Sequence, residues 1–185
     1  MCGKEIRLTV AGYKRLKTEE VESDLKKKFG KDALRPVGDL DRPFTPGELR
    51  EFAGHRLVSV SNHTKNHAIL SNYSLTEVRQ QIQGGQDAIQ QMTGKIPEII
   101  SYPNGISSPE IQQAAREIGL PLGVVVRGGK NRLPLEIEAP EAMTLKRFTL
   151  WGDRGIDVQC RVSRANISFY RLLESLKVRA SVALR

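Results

Sequence analysis

Residues 98–126 begin Glu98-Ile-Ile-Ser-Tyr-Pro-Asn-Gly105, continue through Ser108-Pro-Glu110, and end Leu122-Gly-Val-Val-Val126. The short apolar run at 98–102, stopped by turn residues, predicts a strand. Ser108 with Pro109 behind it predicts a helix start, the serine as cap and the proline at the first helical position. Ile111, Ala114, Ala115 and Ile118 share one face of that helix, and Gly119 closes it. Leu122–Val126 is almost continuously apolar, as a strand buried on both faces would be. Strand, helix and strand at this spacing form a βαβ unit, whose crossover is right-handed and whose strands are parallel.

The alternation extends in both directions. Upstream, Thr45-Pro-Gly-Glu48 reads as a capping box, opening a short helix with Leu49 and Phe52 that stops near Gly54. Leu57-Val-Ser-Val-Ser61 predicts a strand. Ser74-Leu-Thr-Glu77 is a second capping box, opening a helix with Leu75, Val78, Ile82, Ile89 and Met92 on one stripe. Gly84-Gly85 weakens that helix, Gly94 ends it, and Pro97 forbids its continuation. Downstream, Leu145–Leu150 predicts a further strand and Ile167–Lys177 a last helix with Leu172, Leu173 and Leu176. Residues 1–43 are weakly patterned. Thr18 is placed to cap a helix carrying Val21, Leu25 and Phe29, closed by Gly30, and a Pro/Gly connection follows over 35–43. The expected organisation is therefore a region 1–43, an α/β domain over 44–177 and a basic tail over 178–185.

The 185 residues suffice for one domain with its own core. Two cysteines, Cys2 and Cys160, exclude a disulfide scaffold, and neither has a partner at metal-ligand spacing. The net charge of +8 admits polyanionic partners. Aromatics at 5% leave few stacking platforms, which disfavours single-stranded nucleic acid. No signal-peptide pattern and no apolar run of membrane-spanning length occurs, so the chain as written is expected in the cytoplasm.

In parallel α/β folds the working residues sit beyond the carboxyl ends of strands. That selects Asn62-His63-Thr64-Lys65-Asn66-His67 and Tyr102-Pro103-Asn104-Gly105. His63 and His67 are four apart. On a helical turn their Cβ atoms lie roughly 6 Å apart, close enough to share one divalent cation. His55 is expected at the opposite end of the 57–61 strand and reads as structural. A catalytic metal site usually needs a third protein ligand. Asp39, Asp41 and Asp153 are the local carboxylates for that place. In the second loop, Asn-Gly tolerates left-handed backbone and can aim N–H groups at an oxyanion. No G-x-S-x-G is present, so an α/β-hydrolase nucleophile elbow is absent. Gly128-Gly129-Lys130 lacks the rest of a phosphate-binding loop.

His63-Thr64-x-x-His67 in this setting resembles the second motif of the polysaccharide deacetylases with a NodB homology domain, carbohydrate esterase family 4. Ser101-Tyr-Pro-Asn-Gly105 resembles their third motif. The resemblance runs over about residues 44–150, more weakly to 177. It implies a distorted (β/α) barrel, partial in this chain. It also implies a divalent metal, often zinc, and hydrolysis of acetyl groups from N-acetylated sugars or polysaccharides. Carried over, His63 and His67 are metal ligands, the Asn104 backbone N–H faces the oxyanion, and Tyr102 stands in the site wall. The family's first motif, close to Thr-Phe-Asp-Asp-Gly, is absent, and so is its late acid histidine. Those aspartates supply the general base and third ligand, so catalysis by this chain is expected to be impaired. The alternative is a non-catalytic domain that binds a glycan or a partner chain. A barrel without its first strands exposes a sheet edge, through which self-association is also expected.

Overall fold

A computed structural model of the chain describes residues 10–148 and Gly155. The helices are α1 (Thr18–Phe29), α2 (Pro46–Gly54), α3 (Leu75–Thr93) and α4 (Pro109–Glu117). The strands are β1 (Ile99–Ser101), β2 (Leu122–Val125) and β3 (Leu145–Lys146). They pair in the order β1-β2-β3, all parallel, with Ile100 opposite Gly123 and Val124 opposite Leu145. The sheet is open, a partial barrel rather than a closed one.

Local chemistry explains where the helices begin and end. The Thr45 and Ser74 hydroxyls accept from the N–H groups of Glu48 and Glu77, and those carboxylates accept the cap N–H groups in return. Ser108 caps α4. Gly94 ends α3 in the left-handed conformation at φ 73°. At α1 the cap is Lys17 rather than Thr18, and its N–H donates to Glu20 Oε2 at 2.8 Å. Lys17 Nζ also reaches Glu77 Oε1 at 2.5 Å, tying α1 to the start of α3. No α1 residue is buried, and Phe29 is exposed.

The core lies between the sheet and α3 with α4. Val78 and Ile82 from α3 and Ile111, Ala114 and Ala115 from α4 pack on Ile100, Tyr102, Leu120 and Met143. Apart from the α1 cap, three expectations are corrected. Leu57–Ser61 is not a strand; only Asn62 forms an isolated parallel bridge, to Ile100. A strand needs a hydrogen-bonded neighbour along its length, and β1 offers one only at Asn62. β2 ends at Val125, and its burial alternates, with Gly123 and Val125 inside and Leu122 and Val124 half-buried, so one face is covered rather than both. The strand expected at Leu145–Leu150 is described only at Leu145–Lys146. Cys2, Asp153, Cys160, the helix expected at Ile167–Lys177 and the tail at 178–185 lie outside the described residues. No helix among the described residues is long and apolar enough to cross a membrane.

The glycine pair inside α3 has a packing reason. A Cβ on Gly85 would sit 2.9 Å from Oδ1 and 3.1 Å from Nδ2 of Asn62, whose side chain is buried and cannot retreat. A Cβ on Gly84 would meet Lys65 Cδ at 2.9 Å, the movable part of a long side chain. Alanine in a helix interior is normally worth up to ~1 kcal/mol over glycine. Gly84→Ala should therefore leave urea stability unchanged or raise it. Gly85→Ala should lower it by about 1–3 kcal/mol, the usual cost of overpacking.

Candidate active site

Asn62 begins the site. Its N–H donates to Ile99 O and its carbonyl accepts from Ser101 N, both at 2.8 Å, which locks the first loop against β1. Its side chain has no solvent exposure. Nδ2 donates to Ile82 O at 2.9 Å and to Gln86 Oε1 at 3.0 Å, while Oδ1 accepts the Thr64 N–H at 2.8 Å. Gln86 in turn donates to Pro97 O at 3.0 Å. One buried amide thus joins the loop, α3 and the entry to β1.

The loop itself is not helical. Thr64 and His67 have φ of 64° and 52°, left-handed values that cost a non-glycine residue on the order of 1–2 kcal/mol. Specific bonds hold them there. Thr64 Oγ1 accepts from Ala68 N at 2.8 Å, and the loop N–H groups of Lys65 and Asn66 donate to Gln81 O at 2.9 Å and Gln81 Oε1 at 3.2 Å. The two left-handed residues bring the imidazoles together, with ring centroids 4.7 Å apart and planes crossed at 73°. The spacing predicts this pairing through a helical turn; the structure reaches it through a non-helical loop with two left-handed residues.

His63 Nδ1 hydrogen-bonds the carbonyl oxygen of Ser101, the last residue of β1. A carbonyl only accepts, so Nδ1 donates in this bond, and in the neutral ring that tautomer leaves the lone pair on Nε2. Partial burial, and secondarily the neighbouring His63, hold the His67 pKa below the ordinary 6.5. Both features suit metal ligation, which needs neutral imidazole and an orienting partner on the second nitrogen. Among the described residues, however, no group of three His, Cys, Asp or Glu converges. Asp39 pairs with Arg42 at 2.8 Å, and Asp41 accepts the N–H groups of Val37 and Gly38. Both are occupied in the exposed connection before α2. His55 caps the C-terminus of α2, and its Nδ1 accepts from Leu57 N at 3.3 Å, a structural role.

The second loop follows directly from Ser101. Asn104 is left-handed at φ 54° and exposed, and its N–H has no protein acceptor among the described residues. Tyr102 lies elsewhere than the site wall. Its side chain is fully buried in the core, so close to Gly123 that a Cβ there would come within 2.6 Å of the hydroxyl. That hydroxyl has no hydrogen-bond partner among the described residues, and burial raises its pKa. The residues missed from sequence are Asn62, Gln81 and Gln86 as organisers. Their signal was the pair of amides on the buried stripe of α3, beside Ile82 and Gly85.

The paired histidines and the Asn104 N–H thus lie beside one another, joined through the end of β1. The chain belongs to the polysaccharide deacetylase family, whose profile matches residues 13–123. No curated protein matches the chain. Among solved structures it resembles a polysaccharide deacetylase from Bacillus cereus, with 18% identity, a TM-score of 0.58, and coverage of 74% of this chain and 44% of that one. It also resembles the Streptococcus pyogenes deacetylase PplD, solved in complex with acetate, at 21% identity, TM-score 0.53, and coverage of 60% and 46%. A de-N-acetylase from Aggregatibacter actinomycetemcomitans matches at 17% identity and TM-score 0.50, covering 63% and 52%. At these identities the likeness establishes the fold. The chain spans about half the length of each of these structures.

The His67 ring should titrate below 6.5 when followed by NMR of its ring protons. His63→Ala removes the neighbouring ring but not the burial. The His67 pKa should then rise part of the way back, and an unchanged value would separate the two rings electrostatically.

Proposed function

We propose that the chain acts as a metal-dependent deacetylase on N-acetylated sugars or glycans, with low turnover. The observation that carries this reading is the bond from His63 Nδ1 to Ser101 O. It sets the paired histidines directly beside the loop that presents the Asn104 N–H. His63, through Nε2, and His67 would hold a divalent cation such as zinc. When bound, that cation would supply electrophilic pull on an acetyl carbonyl and acidify water. The remaining work falls to the chain. The Asn104 N–H is preset by its left-handed backbone to donate to the oxygen on which charge develops. Tyr102 acts from below, as a core anchor that fixes the start of the same loop. Ser101 O keeps the His63 ring oriented.

A second reading is favoured by the lack of a third converging ligand among the described residues. In it, the same rim binds a glycan without hydrolysing it. Calorimetry and acetate release tell the two apart. Zinc should bind the wild-type chain, and His63→Ala or His67→Ala should weaken binding by at least ~10-fold. Equal affinity in wild type and both variants would remove the metal proposal. Slow acetate release from an N-acetylglucosamine oligomer that vanishes in His63→Ala supports the deacetylase. Binding of that oligomer with no zinc-dependent release supports the second reading.

A further inference from the structure

The strand-end loops around the site have an uneven charge. Over residues 62–67, 102–107, 127–132 and 144–147 the cations are Lys65, Arg127, Lys130, Arg132, Lys146 and Arg147, and no Asp or Glu occurs. The same ends carry the paired histidines and the Asn104 N–H. Lys65, Arg127, Arg132, Lys146 and Arg147 are exposed. Arg127, Arg132, Lys146 and Arg147 form no ion pair with a described residue. Elsewhere Lys17, Arg79 and Arg116 do meet carboxylates.

The basic segments are held in place rather than left as loose surface. Arg147 N donates to Arg127 O at 3.2 Å, one backbone bond beyond the β2–β3 pairing, which ties the two arginine-bearing segments together. Asn131 clamps the loop to β3 twice: its Nδ2 donates to Lys146 O and its Oδ1 accepts from Lys146 N, both at 2.9 Å. A cleft of about 640 Å³ adjoins it, lined by Asn131, Arg132 and Lys146 and also by Glu136 and Glu141, so the carboxylate-free part of the rim is the one that carries Arg127 and Arg147. Like charges held near one another repel, and keeping Arg127 and Arg147 there with no ion pair to a described residue costs stability that a bound anion would return.

We propose that this rim binds an acetylated glycan that carries repeated anionic groups, carboxylate or phosphate. The proposal rests on the deacetylase reading for the acetyl group and on the rim alone for the charge. Anionic units flanking the acetylated sugar would lie along Arg127, Arg132, Lys146 and Arg147, steering the chain into the site and setting its register.

The test uses the 185-residue chain and labelled oligomers of equal length, followed by fluorescence anisotropy. The probes are a hyaluronan oligomer with alternating carboxylates, a phosphodiester-linked N-acetylhexosamine oligomer, a neutral N-acetylglucosamine oligomer, and single-stranded DNA. At about 50 mM salt at least one anionic glycan should bind ~10-fold or more tighter than the neutral one. The advantage should shrink at about 300 mM, where the screening length is much shorter. Whichever glycan binds tighter identifies carboxylate or phosphate as the group read. The double variant Arg127→Gln/Arg147→Gln should lose most of the preference while keeping its thermal unfolding midpoint. A single-site Arg132→Gln variant, outside the strand pairing, should lose part of it and serves if the double variant does not fold. Equal binding of neutral and anionic glycans would overturn the proposal. So would an undiminished preference in the variants, or DNA binding as tightly as the glycans. Acetate release with no charge preference would overturn this proposal and leave the deacetylase reading standing. Charge-selective glycan binding with no release would do the reverse.

Discussion

The carboxamide of Asn62 is shut away from water, so every polar atom it carries must find a partner within the protein. Leaving such a group unpaired costs about 1–3 kcal/mol. The arrangement that satisfies it sets the distances around it. α3 approaches closely enough that only glycine fits at position 85, the loop turns back at Thr64, and β1 lies alongside. The paired histidines are downstream of that constraint. They are held together because the loop that carries them is bonded to a helix and a strand at once.

The parts of the fold legible in sequence were those decided locally. Capping boxes at Thr45–Glu48 and Ser74–Glu77 and the left-handed Gly94 involve residues within a few positions of one another. The βαβ unit followed from apolar runs and turn residues, and it appears as β1, α4 and β2. What failed depended on distant partners. Leu57–Ser61 has the alternation of a strand, yet extended chain becomes a strand only where another backbone meets it, and one residue past that segment does so. The His63–His67 pairing was legible as a spacing, while its route through two left-handed residues was not. Gly84-Gly85 looked like weakness in a helix because the side chain it accommodates lies 23 positions earlier than Gly85. Tyr102 sits next to site residues in sequence, yet its side chain is fully buried in the core.

The family match spans both the His63–His67 and the Tyr102–Gly105 loops and the helices that support them, and it reaches back to residue 13. The histidine pair and the Tyr102–Gly105 loop are structurally coupled parts, joined by the Ser101 carbonyl. The cationic ends of β2 and β3 lie in the same layer. Their charge is carried by other residues than the histidines, on other segments, so the two features can vary independently.

The loop that carries the histidines is also tied to the least exposed part of the molecule. The N–H groups of Lys65 and Asn66 end on Gln81, and the side chain of its first residue, Asn62, ends on Ile82 and Gln86. Surface loops usually open on their own, at little cost and far more often than the core. This one cannot exchange its amides for water without releasing the middle of α3 and the edge of β1. It therefore belongs to the same cooperative unit as they do, and its lifetime in the closed form is that of the domain's interior rather than of its surface.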